Sequence, residues 1–177
     1  GKYEEGTEAE RKVHSAYVFF FDEQGNAFAV DNMQAHSGDI NYVDVLDQLS
    51  KKGEAMDNVS DVQNAVLVLK NYKGQYPAQV VAVLNWAPET GKAYDLDDLY
   101  AATNIQGVGN GFVMSNAVYS DGTNAVVGTP ITAADIHKSK DKALEKPVTI
   151  HVERIAAKVT VTANGVADNR FKVTKTA

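Results

Sequence analysis

Val148-Thr149-Ile150-His151-Val152-Glu153-Arg154-Ile155-Ala156-Ala157-Lys158-Val159 is the stretch on which the fold class turns. Val148, Ile150 and Val152 keep one alternating apolar phase, while Ile155, Ala157, Val159 and Val161 keep the opposite one. Period-two alternation marks a β-strand, because successive side chains leave opposite faces of the pleat. At Glu153-Arg154 the phase slips. Such a pattern slips only at a bulge, a bend or a handover between packing environments. Pro147 to Thr162 therefore reads as one strand region interrupted near its middle. Glu153 and Arg154, placed within it, would face opposite ways and find separate cross-strand partners. A handover at this point would be a domain junction, giving a first domain over 1–158 and the start of a second domain, or a C-terminal extension, over 159–177. Beyond it, Asn164-Gly165 supplies a turn, and Arg170 to Thr174 resembles the start of a further strand.

Upstream the same periodicity dominates. Val13 to Phe21 puts Val13, Tyr17, Phe19 and Phe21 on one face and Ala16, Val18 and Phe20 on the other, a strand buried on both sides toward its end. After the turn Asp22-Glu23-Gln24-Gly25-Asn26, Ala27 to Val30 reads as the returning strand of a hairpin. Ala65 to Leu69 and Gln79 to Leu84 are short apolar runs separated by Asn71 to Pro77, and both read as core strands. Gly111 to Tyr119 meets Ala125 to Val127 across Ser120-Asp121-Gly122-Thr123-Asn124, whose Asp-Gly pair is a turn signal. The chain reads as mainly β, an antiparallel β-sandwich with two or three short helices.

The helices are brief. Asp95 is placed to cap one through Thr103, with Asp97 and Asp98 at the positive end of the peptide dipoles and Leu96, Leu99 and Tyr100 toward the core. Thr132 through Leu144 is a second, with Thr132 as cap, Asp135 in capping-box spacing and Ile136 on the apolar side. Tyr42 to Leu49 fits either a strand or a helix carrying Val43, Leu46 and Leu49, and helix is the reading taken. Ser50 to Asp61 reads as a loop.

Composition narrows the function classes. The 177 residues are 44% hydrophobic and 23% charged, ordinary globular proportions, and hold no apolar run of about 18 residues that could span a bilayer. A chain of this size buries roughly 70% of its unfolded surface. The net charge of −6 and the absence of any basic stripe interleaved with aromatics argue against a nucleic-acid partner. No cysteine is present, which excludes thiolate metal sites, thiol nucleophiles and disulfides. Gly1 to Lys12 is polar and acidic, unlike a signal peptide, so the chain reads as either cytoplasmic or mature and processed.

Candidate chemistry is sparse. His14, His36, His137 and His151 have no metal-ligand spacing and read as surface or strand positions. Asp95, Asp97 and Asp98 lack the alternating loop, central glycine and distal glutamate of a calcium site, so helix capping is preferred. Gly107, Gly109 and Gly111 lead into a strand rather than a helix, which removes a phosphate cradle. No serine occupies a Gly-x-Ser-x-Gly elbow, and Ser15, Ser37, Ser115 and Ser120 have no evident His and acid partners. Trp86, the only tryptophan, reads as core or rim packing. The expectation is a binding or structural module that is not an enzyme and needs no cofactor or metal.

At this point the residues carry a resemblance. An acidic lead-in, the strand Val13 to Phe21, the strand Val80-Val81-Ala82-Val83-Leu84-Asn85, the segment Phe112-Val113-Met114-Ser115-Asn116 and above all the opening stretch are, in that order, similar to the fimbrillins of Bacteroidetes. These are the shaft subunits of type V pili, represented by the major and minor fimbrial proteins. The similarity is one of pattern and order over most of Ala9 to Val161, with Val-Glu-Arg-x-x-Ala-Lys-Val as its most specific stretch. Tyr42 to Gln63 has no counterpart in it.

The resemblance implies a two-domain, transthyretin-like sandwich subunit, of which this chain is the N-terminal domain. It implies export as a lipid-anchored precursor, removal of a leading strand by an arginine-specific protease, and insertion of a strand from another subunit into the vacated groove. The partners implied are other pilin subunits in a homopolymer, anchor or tip subunits, and host or bacterial surface receptors. The location is extracellular, in a fimbria on the outer membrane surface. Tyr17, Phe19 and Phe21, with Val148, Ile150 and Val152, are expected to line or neighbour the donor-strand groove. The competing expectation is a secreted carbohydrate-binding or adhesin-tip sandwich domain presenting an aromatic platform, for which Tyr72, Tyr76 and Trp86 are available.

Overall fold

In a computed structural model, residues 13–30, 40–49, 63–69, 75–105, 114–116, 118–119, 126–137, 139–152 and 155–163 are described. Strands dominate. In chain order the elements are β1 (Ala16–Phe21), β2 (Tyr42–Asp44), α1 (Leu46–Leu49), β3 (Gln63–Leu69), β4 (Gln79–Leu84), α2 (Leu96–Ile105), β5 (Met114–Ser115), β6 (Val118–Tyr119) and β7 (Val126–Val127). There follow β8 (Thr129–Pro130), a single 3-10 turn (Ala133–Asp135), β9 (Ile136–His137), α3 (Lys140–Glu145), β10 (Val148–Val152) and β11 (Ile155–Ala163).

The first sheet is antiparallel and has the order β2-β1-β4-β5, with β8 also on β4. β1 lies against β4 over its whole length, from Ala16 opposite Leu84 to Phe21 opposite Gln79. Its other edge takes β2, with Phe19 opposite Tyr42. The hairpin expected after β1 is reduced accordingly. Ala27 makes only an isolated bridge to Phe21, because the Phe20 N–H already donates to the Asn41 carbonyl at 2.8 Å. The turn itself is built by Asp22, whose Oδ1 accepts from the N–H groups of Gln24 at 2.9 Å and Asn26 at 2.8 Å. Gly25 is needed there: its φ is +81°, and a Cβ would sit 3.3 Å from Leu96.

The second sheet has the order β10-β11-β3, with β9 also on β11. It is mixed, since β11 is antiparallel to β10 but parallel to both β3 and β9. The phase slip at Glu153-Arg154 receives its physical account here. β10 and β11 pair antiparallel, with Val152 opposite Ile155, Ile150 opposite Ala157 and Val148 opposite Val159. Reversal across two residues sets even positions against odd ones, so both strands keep their apolar phase in register only if the numbering slips by one. The slip marks a chain reversal, not a bulge in one strand region. Glu153 and Arg154 lie outside the described residues. β11 runs without a break across Lys158 and Val159, where the domain boundary is expected, and pairs there with both neighbours.

The helical readings hold in part. α2 begins where the acidic cluster predicts, with Leu96 and Leu99 buried and Tyr100 half-buried. Asp95 supplies its carbonyl to the Leu99 N–H at 2.9 Å, while its carboxylate accepts from the Ala27 N–H at 2.8 Å and ties the helix start to the loop after β1. Tyr42 to Leu49 is divided, a strand through Asp44 and then one helical turn, and the Asp44 carboxylate accepts from the Leu46 N–H at 3.0 Å where they meet. The expected helix from Thr132 stops after one 3-10 turn. Asp135 does accept from the Thr132 N–H at 2.8 Å, but Ile136 and His137 are drawn into β9 beside β11, and a new helix starts at Ser139, whose hydroxyl accepts from the Lys142 N–H at 3.3 Å. Pairing to an existing strand outweighs a weak local helix preference.

Two apolar clusters result. The first holds Ala16, Val18 and Phe20 of β1, Val80, Ala82 and Leu84 of β4, Leu67 of β3 and Val148 and Ile150 of β10. The second holds Phe19 and Phe21 of β1, Val81 and Val83 of β4, Tyr42, and Leu96 and Leu99 of α2. Each fully buried Val, Leu, Ile or Phe contributes about 1.5–3 kcal/mol of transfer free energy.

Candidate functional site

β10 ends the second sheet: β11 and then β3 lie on one side, and among the described residues no strand pairs with its other edge. Such an edge presents backbone N–H and C=O groups to any incoming strand. Val148 and Ile150 are buried in the first cluster and Thr149 between them is exposed, so β10 has one apolar face and one solvated face. Val152 closes the described part of the strand opposite Ile155. An added strand would find its hydrogen bonds along β10 and an apolar neighbourhood beside Val148 and Ile150.

The six residues expected at a groove do not fall on one face. Phe19 and Phe21 are fully buried, and with half-buried Tyr17 they belong to the second cluster. The β1 residues that share the first cluster with Val148 and Ile150 are Ala16, Val18 and Phe20. Val18 and Phe20 are not distinguishable from Phe19 and Phe21 in the sequence because β1 is apolar in both phases, and alternation alone does not say which phase meets which cover. The signal that bears on it is remote. α2 carries Leu96 and Leu99, which need an apolar face to cover, and that face is the Phe19 side.

The edges of the first sheet are differently arranged. The side of β4 away from β1 is taken by β5 opposite Val83 and Leu84 and by β8 opposite Gln79 and Val80. Between these two short strands Asn116 lies against β4. Its Oδ1 accepts from the Ala82 N–H at 2.7 Å, and its Nδ2 donates to the Val80 carbonyl at 3.1 Å and to Thr129 Oγ1 at 2.7 Å. Gln79 adds a further tie, its Oε1 accepting from the Gly128 N–H at 3.0 Å. Gly128 sits so close that a Cβ would be 2.8 Å from both the Val80 carbonyl oxygen and Val81 Cγ2. Gly128→Ala is therefore expected to cost about 1–3 kcal/mol, as overpacking against backbone does, read as a lowered urea midpoint at unchanged m. A change below about 0.5 kcal/mol would mean that β8 moves aside freely.

Aromatic rings fill the second cluster. Phe19 meets Tyr42 at a centroid distance of 5.4 Å, Tyr94 at 5.9 Å and Trp86 at 6.1 Å, and Trp86 meets Tyr94 at 5.4 Å. Trp86 is thus rim packing on the core. Of the other two platform candidates, Tyr76 is half-buried and Tyr72 lies outside the described residues. The loop from Trp86 to Tyr94 is fastened by the Tyr42 hydroxyl donating to the Glu89 carbonyl at 3.3 Å and by the Glu89 N–H donating to the Tyr94 hydroxyl at 2.9 Å. Lys92 stands 4.9 Å from the Tyr94 ring centroid, a cation–π contact at the surface. Burial pushes the Tyr42 hydroxyl above the usual tyrosine range against the lowering effect of a backbone hydrogen bond at Gly91, and Tyr94 adds to the rise. Burial also raises Tyr17, with Asp44 and then Tyr42 as further causes.

Elsewhere, His14 is exposed and His137 half-buried in β9, while His151 belongs to β10 and His36 lies outside the described residues. Among the described residues no three His, Asp or Glu side chains are grouped to hold a metal ion, and no helix is long and apolar enough to cross a membrane. No family model matches this chain, and no curated protein or solved structure matches it.

Proposed function

We propose that the chain is a structural, non-catalytic pilin subunit of cell-surface fimbriae, held to its neighbours by strand insertion and supporting adhesion. The observation that carries this reading is the outer edge of β10, open among the described residues and adjoining the apolar side chains of Val148 and Ile150. Two further features support it. The β10–β11 sequence is the stretch most similar to the fimbrillins, and the first cluster draws side chains from both sheets, as the interior of a transthyretin-like sandwich would. In this reading the subunit acts outside the cell on the outer membrane surface. Proteolytic loss of a leading strand exposes the groove, and a strand of the next subunit fills it.

Strand addition suits a durable polymer because the backbone supplies a ladder of hydrogen bonds while alternate side chains enter an apolar groove. A donor of about ten residues would bury about five apolar side chains at roughly 1.5–3 kcal/mol each, reduced by the cost of ordering and association. The test uses synthetic peptides covering the strand-forming segments of the subunit's own precursor, with thermal unfolding as the readout. A peptide that binds only the folded domain stabilises it by about 2.7 kcal/mol at about a hundredfold excess over its Kd, a rise of roughly 5–10 °C. Hydrogen exchange should show the new protection at Val148–Val152. If no such segment raises the unfolding temperature of the folded domain, the strand-acceptor reading loses its support.

A further inference from the structure

The open edge of β10 has a counterpart that is closed by a side chain. β4 would expose its backbone between β5 and β8, at Val81 and Ala82, were nothing inserted there. A carboxamide carries the same acceptor and donor pair as a peptide group, and Asn116 presents both to β4 as a third strand would, accepting from Ala82 and donating to Val80. Its remaining N–H is held by Thr129 Oγ1, which fixes the amide between the two strands. The chain leaves β4 after β5, forms the β6–β7 pair, and returns as β8, so Asn116 also closes the base of that excursion.

We infer that Asn116 is an edge plug. It denies the β4 side of the first sheet to incoming strands, while the outer edge of β10 stays open among the described residues. The inference builds on the strand-acceptor reading, but its readout lies on β4, so the two fail separately. A peptide that does not protect Val148–Val152 removes the acceptor reading and leaves the plug to be judged on its own. Nature commonly blunts an exposed edge with charge, proline, a bulge or a covering loop. Here a single amide substitutes for the missing residue pair.

The experiment is hydrogen exchange and sedimentation velocity on the full chain and on Asn116→Ala, over a series of protein concentrations. In dilute variant the Ala82 amide should exchange roughly tenfold faster, as expected for the loss of the hydrogen bond it donates to Asn116. As concentration rises, the variant should self-associate and protection should return to Gln79–Leu84, which the parent chain should not show at that segment. A variant matching the parent in both measurements overturns the inference. Faster exchange without association overturns it too, because Asn116 would then be a structural tether only. If Asn116→Ala does not fold, Thr129→Val removes one anchor of the amide. It should give a smaller change of the same kind, and no change would again count against the plug.

Discussion

Asn41→Leu is expected to lower the unfolding free energy by roughly 3–5 kcal/mol although leucine is close to asparagine in size. Asn41 is fully buried, and its side chain ties the β1 backbone at Phe20 to Tyr94 of the second cluster. Nδ2 donates to the carbonyls of Phe20 and Tyr94, each at 2.9 Å, and Oδ1 accepts from the Tyr94 N–H at 3.0 Å. Phe20 would keep a partner, since its carbonyl also accepts from the Phe28 N–H at 3.0 Å. The Tyr94 N–H and carbonyl would lose theirs in the interior, where each orphaned group costs about 1–3 kcal/mol. Asn41→Asp should be worse, because it removes the donor and places a charge in the same site. Urea denaturation at unchanged m gives the number. A loss below about 1 kcal/mol would mean that water reaches the Tyr94 backbone and replaces the amide.

The second large effect is at Phe19. Truncation to alanine removes a fully buried ring packed on Tyr42, Tyr94 and Trp86, and the expected cost is about 3–5 kcal/mol. Phe19→Asp adds the burial of an unpaired carboxylate, which brings the total within reach of the 5–15 kcal/mol typical of a whole domain. The expected outcome is loss of cooperative unfolding and of near-ultraviolet circular dichroism. Failed polymerisation of this variant would accordingly report a failed fold. A cooperative Phe19→Asp protein with a melting temperature near that of the parent would overturn the placement of Phe19 in the core.

Much of the strand inventory was legible because it rests on local patterns. Val13 to Phe21, Gln79 to Leu84 and the pair around Asp121-Gly122 declare themselves by alternation and turn chemistry, and β1, β4 and the β6–β7 pair occupy those places. Orientation was not legible where both phases are apolar, which is why Phe19 and Phe21 part company with Val148 and Ile150. The slip at Glu153-Arg154 falls between β10 and β11, but a reversal and a change of surroundings leave the same mark on a period-two pattern. Thr132 and Asp135 signal a helix start and do make their contact, yet nothing local announces that β11 will claim Ile136 and His137. Nothing in the sequence pattern singles out Asn116. Its bonds reach Val80 and Ala82, far away in the chain, and a side chain that stands in for backbone leaves no periodic trace.

The central place of β11 has a kinetic consequence. Its pairing with β10 closes over two residues, so that hairpin can form on the microsecond scale, about 1–10 μs, as soon as both strands exist. Its pairing with β3 must bring Gln63 to Ala157 across about half of the chain, and a parallel ladder gains nothing until that long closure is complete. During synthesis from the N-terminus β3 therefore waits for a partner made much later. The slow step in folding is expected to be the docking of the finished β10–β11 hairpin onto β3, and Gln63–Leu69 is the segment that a holding chaperone would have to shield until it happens.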